Sequence, residues 1–152
     1  MNMALMTLLS VLAGFGITLQ SGMSGQLSGL LKNPLLATFS LYVVSTLSMA
    51  FVLLVSKTNM PEMEIVKSVP RHLWVAGSVF SVTALTLIYW QMPKIGIAKV
   101  FSGVLVGQII TSMVASYYGW FGLPLLVLTT QKLLGAGCLV VGVILINGKN
   151  II

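Results

Sequence analysis

Gln108, Ser112 and Ser116 recur at every fourth position of an otherwise apolar run, with Thr111 beside them. On a helix this spacing puts an amide and two hydroxyls on one face. Such a set donates and accepts hydrogen bonds but carries no charge. A second neutral set lies in "LQSGMSGQLSGLLKNP", Leu19 to Pro34, which holds Gln20 and Ser24 and no charge before Lys32. Tyr89 and Trp90, in "LIYWQMP", add aromatic faces. At a span end these serve as interfacial anchors or as walls of a vestibule, where ring faces attract organic cations. Gln108 has a plainer alternative too, as a hydrogen bond that glues one helix to another. Gly103, Gly107, Thr111 and Ala115 make a stripe of small residues on the same run, and Gly135, Gly137 and Gly142 recur further on. Both groups suit close helix packing.

The rest of the chain offers little reactive chemistry. There is no metal-ligand spacing, no nucleophile paired with a base and no phosphate-binding loop. No metal or cofactor is expected, and catalysis is disfavoured. His72, beside Arg71, is the one histidine; it suits an interfacial anchor better than a proton relay. Cys138 is the single cysteine, so an intrachain disulfide is excluded.

Composition decides what must position these groups. Hydrophobic residues make up 57% of the 152 and charged residues 7%, where a soluble domain carries about 25% charge. A water-facing surface cannot be built from that inventory. A bilayer leaves helices or closed barrels, and the apolar runs here are continuous rather than alternating, so the chain reads as an all-α integral membrane protein. Its net charge of +6 comes from lysines and arginines set singly between apolar runs. They are anchors and topology signals, and nucleic acid is not an expected partner.

Five spans follow, at about 4–31, 34–55, 73–92, 95–117 and 130–147, as a single membrane domain over 1–152. The first is the ambiguous one. Ala4 to Leu19 makes a helix of about 24 Å, short for a span, whereas continuing to Leu31 gives about 42 Å. The alternative is a short span and a Gly/Ser loop; the continuous, tilted helix is favoured, with Gln20 about halfway along it. Pro34 suits the first turn of the second span, and Pro93 follows the third. Glu62 and Glu64, the only acidic residues, fall in the loop from Ser56 to His72. "SYYGWFGLP", Ser116 to Pro124, combines interfacial aromatics with turn residues. A cleavable signal peptide is not expected, because no Lys or Arg precedes the first apolar run.

The stretch "AGFGITLQSGMSGQLSGLLKNPLLATFS" resembles the first-helix signature of the small five-helix YdcZ-like branch of the drug/metabolite transporter superfamily. The matching positions are Gly14, Gln20 and Pro34, with Ser24 where the signature has asparagine. A second signature matches at Gly107, Gln108 and "GWFG" from Gly119, with Ser116 in place of an acidic residue. Lys99 stands where relatives have a small apolar residue. The resemblance covers nearly the whole chain. It implies a multi-pass bacterial inner-membrane protein that moves small metabolites or drugs, and it names no substrate. Larger superfamily members look like two five-helix halves of opposite orientation, so one half needs a second chain to complete the inverted-repeat fold. Such repeats put the site near the midplane at their interface, where Gln20 and Gln108 are expected.

The distribution of positive charge bears on that pairing. Lys57, Lys67, Arg71 and Lys132 fall on one side of five spans, and Lys32, Lys94, Lys99 and Lys149 on the other. Orientation follows the Lys/Arg imbalance of short loops, and here there is none. The reading is a small-molecule transporter acting as an antiparallel, dual-topology homodimer, or with a closely related paired chain. Its substrate pathway is expected at Gln20, Ser24, Tyr89, Trp90, Gln108, Thr111, Ser112 and Ser116. Its packing positions are Gly103, Gly107, Gly135 and Gly142. The rival is a non-transporting subunit that scaffolds a partner membrane protein; a passive channel is a weaker third.

Overall fold

The computed structural model describes residues 2–122 and 129–148. Pro124 and Lys149, used above, lie outside them. Helices α1 (Met3–Leu31), α2 (Pro34–Val55), α3 (Met63–Ser68), α4 (Arg71–Ile95), α5 (Ile97–Tyr118) and α6 (Thr130–Asn147) account for most of the chain. All but α3 are long and apolar enough to cross a membrane. The chain divides into two compact units, Met1–Lys94 and Ile95–Ile152.

In the first unit α1 is one helix of 29 residues, about 44 Å long. Its glycines, serines and Gln20 do not break it; Gly25 and Gly29 lie against Met92 and Pro93, where small residues let helices approach closely. The helix stops at Lys32, which takes the left-handed conformation (φ 51°). The Asn33 N–H then reaches back to the Ser28 carbonyl at 3.3 Å, which satisfies an end carbonyl. Asn33 at once caps the next helix, its Oδ1 accepting from the Leu35 and Leu36 N–H groups at 3.0 and 3.3 Å. With Pro34 in the first turn, a two-residue corner makes α1 and α2 antiparallel neighbours.

Helix α4 starts directly after Pro70 and runs through Pro93 rather than ending before it. Proline removes the one backbone bond that would reach the Tyr89 carbonyl, and a single lost bond in a last turn does not end a helix. Gly96 does, with φ 85°, so α5 begins at Ile97 and not at Ile95. Gly25 of α1 lies against Met92, and Gly29 against Pro93. Contacts that climb together on both helices make α1 and α4 parallel.

The second unit is a hairpin of α5 and α6. Asn147 Nδ2 donates to Ser102 Oγ at 2.9 Å, joining the start of α5 to the end of α6. At the far end Tyr117, Tyr118, Trp120 and Phe121 form a run of ring contacts with centroids 5.1 to 6.3 Å apart. Gly119, Phe121 and Gly122 all have positive φ, which turns the chain sharply beneath this aromatic cluster.

Burial runs opposite to that of a soluble domain. Leu54, Phe80 and Leu30 are 78%, 77% and 76% exposed, whereas Ser21, Ser28, Thr38 and Ser102 are buried. Large apolar side chains face outward because lipid, not water, is the solvent. Small and polar groups fill the helix contacts.

Candidate substrate site

The first unit is held together by polar pairs that cross between helices. Gln20 Nε2 of α1 donates to Tyr89 Oη of α4 at 2.8 Å. Thr86 Oγ1 of α4 donates to Thr38 Oγ1 of α2 at 3.1 Å, and the Tyr42 and Ser81 hydroxyls meet at 2.5 Å. Thr38 also donates to the Pro34 carbonyl at 2.9 Å, so its hydroxyl both gives and accepts. Together these pairs form a polar seam. Tyr89 is fully buried, so its phenol belongs to the interior rather than to an interfacial belt.

Ser21, the residue after Gln20, is also fully buried, and its Oγ has no hydrogen-bond partner among the described residues. Ser21, Gly25 and Ser28 form the buried face of α1, at the i, i+4, i+7 spacing of a helix stripe. The exception is informative. Thr7, Ser10, Thr18, Thr46 and Thr83 all donate to the carbonyl four residues back. A buried hydroxyl left unpaired costs free energy, and such orphans are rare in native interiors.

The other expected pathway residues distribute as follows. Ser24 is half-buried on α1. Trp90 is half-exposed, and Lys94 Nζ stands 3.3 Å from its ring centroid, so the indole face already holds a cation. On α5, Gln108, Thr111 and Ser112 are exposed and Ser116 is half-buried. Ser112 donates to the Ile109 carbonyl at 2.8 Å, whereas the Gln108 amide has no partner among the described residues. Gly103, Gly107, Gly135 and Gly142 have open space where a side chain would begin. His72 is exposed. No group of three or more metal-ligating side chains occurs among the described residues.

Sequence reasoning picked out Gln20 and Tyr89 separately and missed that they bond. It also missed Ser21, Thr38, Tyr42, Ser81 and Thr86. The signal for the α2 pair was present, since Thr38 and Tyr42 are four residues apart on one face. Nothing in residue type distinguished them from the hydroxyls that bond only to their own helix.

Among the described residues, five helices long and apolar enough to cross a membrane, with large apolar side chains facing outward, define an all-helical integral membrane protein. The family model described as "Putative inner membrane exporter, YdcZ" matches residues 5–145. The chain therefore belongs to the YdcZ family, and it is a multi-pass inner-membrane protein. No curated protein and no solved structure matches it significantly.

Proposed function

We propose that the chain exports a small metabolite as an antiparallel dimer of two oppositely inserted copies, or of one copy and a closely related paired chain. The substrate site lies near the membrane midplane and is lined by neutral polar and aromatic side chains. The residues we assign to the pathway are Gln20, Ser24, Tyr89, Trp90, Gln108, Thr111, Ser112 and Ser116. The observation that carries this reading is the Gln20–Tyr89 bond, an amide and a phenol paired across helices at depth. Polar groups inside a membrane are costly and tend to mark the path of a solute.

The dimer rests on α5. Burying an unpaired amide in hydrocarbon costs roughly 4–8 kcal/mol on alkane transfer scales, and Gln108 is exposed with no partner among the described residues. Gly103 and Gly107 beside it leave room for another helix to approach. The balanced lysines and arginines then allow both orientations.

Reconstitution in liposomes tests the reading. Substrate-dependent counterflow supports a carrier, unsaturable conductance a channel, and neither supports a scaffolding subunit.

A further inference from the structure

We infer that the polar seam of the first unit takes the carboxylate of a small organic anion, with Ser21 and the Gln20–Tyr89 pair as its hydrogen-bond donors. This deepens the exporter reading and rests on it.

Donor accounting comes first. Gln20 and Tyr89 together own three polar hydrogens, and the bond between them uses one. Whichever way the amide is turned, two remain unspent. Ser21, next along α1, adds the hydroxyl that is fully buried and without a partner. Three donor hydrogens are thus unspent among the described residues, and the five membrane-crossing helices contain no aspartate or glutamate to accept from them. A carboxylate brings a charged, acceptor-only partner that such a neutral set lacks, and hydrogen bonds to a charged acceptor are the stronger kind.

Charge comes second and points the same way. Glu62 and Glu64 lie outside the membrane-crossing helices, near α3. At the end where α1 and α4 finish stand Lys32 and Lys94. Helix C-termini favour cations there, which places both lysines without giving either a carboxylate. Lys94 rests on the Trp90 ring instead, a contact weak enough at an exposed site to yield to an anion. An organic cation entering the seam would shed its hydration and meet no counter-charge, which is the costly case for a buried ion. An anion meets cations at the mouth and donors within. The donors are sealed in this state, with Gly25 against Met92 and Gly29 against Pro93, so entry requires α1 and α4 to part.

The test uses the full chain in phosphatidylcholine nanodiscs and three probes of one shape and different charge: benzoate, benzamide and benzyltrimethylammonium. The unfolding temperature should rise with benzoate concentration and not with the other two. Ser21→Ala and Tyr89→Phe should each weaken the benzoate response about tenfold, and Lys94→Gln should weaken it a few-fold. Ser21→Ala removes an unpaired hydroxyl, so its ligand-free unfolding temperature should equal or exceed that of the parent, which separates lost binding from lost folding. Stabilisation by benzyltrimethylammonium alone, by none of the probes, or by benzoate equally in all variants overturns the inference. So does stabilisation by added phosphatidylglycerol without benzoate, which would assign the basic end to lipid head groups. Benzoate that binds but is not carried into liposomes would leave the anion site standing and defeat the exporter reading.

Discussion

Gly25→Ala is the smallest change that presses directly on the α1–α4 contact. The added methyl would clash with Met92 Sδ and lie 3.0 Å from its Cβ and 3.3 Å from its Cγ. The sulfur sits at the end of a flexible chain and can swing away. The Cβ cannot, because it is fixed to the α4 backbone. Carbon atoms prefer about 3.5–4.0 Å, so the helices must separate by roughly half an ångström. Overpacking of this kind costs about 1–3 kcal/mol, offset by at most about 1 kcal/mol from replacing glycine in a helix. The expected outcome is a net loss of about 1 kcal/mol, read as a lower midpoint when sodium dodecyl sulfate is titrated into the detergent-solubilised protein. Met92→Ala removes the sulfur and Cγ but keeps Cβ, so the double variant should recover part of the loss and not all of it. Gln20 is little more than one turn from Gly25, and separation there lengthens its bond to Tyr89. Uptake should fall along with stability. A Gly25→Ala variant as stable as the parent would refute the described contact between α1 and α4.

Three further outcomes are expected. Gln108→Leu should abolish transport while leaving the dimer assembled on size-exclusion chromatography, because the open face at Gly103 and Gly107 still packs a second helix and leucine needs no hydrogen-bond partner; unchanged transport would reduce Gln108 to a structural hydrogen bond. The membrane-crossing helices carry no carboxylate, so His72→Gln should leave the pH profile of uptake unchanged, and loss of a pH response would make the histidine a relay. Reporters fused after Ile152 should signal on both sides of the membrane, and two or three lysines added at one end should drive them to one side; single-sided insertion of the unaltered chain would rule out the homodimer of opposed copies.

Much of the fold was legible because the bilayer leaves few choices. Five apolar runs in a chain with 7% charge become five helices, and the corner at Asn33–Pro34 is written in two residues that cap and start a helix. Pro93, expected just past the third span, lies inside its helix. Only its position relative to Gly96 shows that the helix survives to Ile95. The candidate site was half legible. Gln20 and Tyr89 were singled out for separate reasons, but their bond joins residues 69 apart in the chain, a distance that spacing within one helix cannot report. Ser21 was invisible for a different cause. Membrane helices commonly carry hydroxyls bonded to their own backbone, as Thr18 does, and only the packing of a second helix shows which hydroxyl is left without a partner.

The claim at the centre of this account is that the chain moves a small solute outward through the seam joined by Gln20 and Tyr89. The most direct measurement compares small molecules in the medium of cells producing the unaltered chain, the Gln20→Leu variant, or neither, with equal amounts of protein in the membrane. The account predicts at least one solute that accumulates outside only with the unaltered chain. Identical media from all three cultures, or the same accumulation with Gln20→Leu, would contradict it.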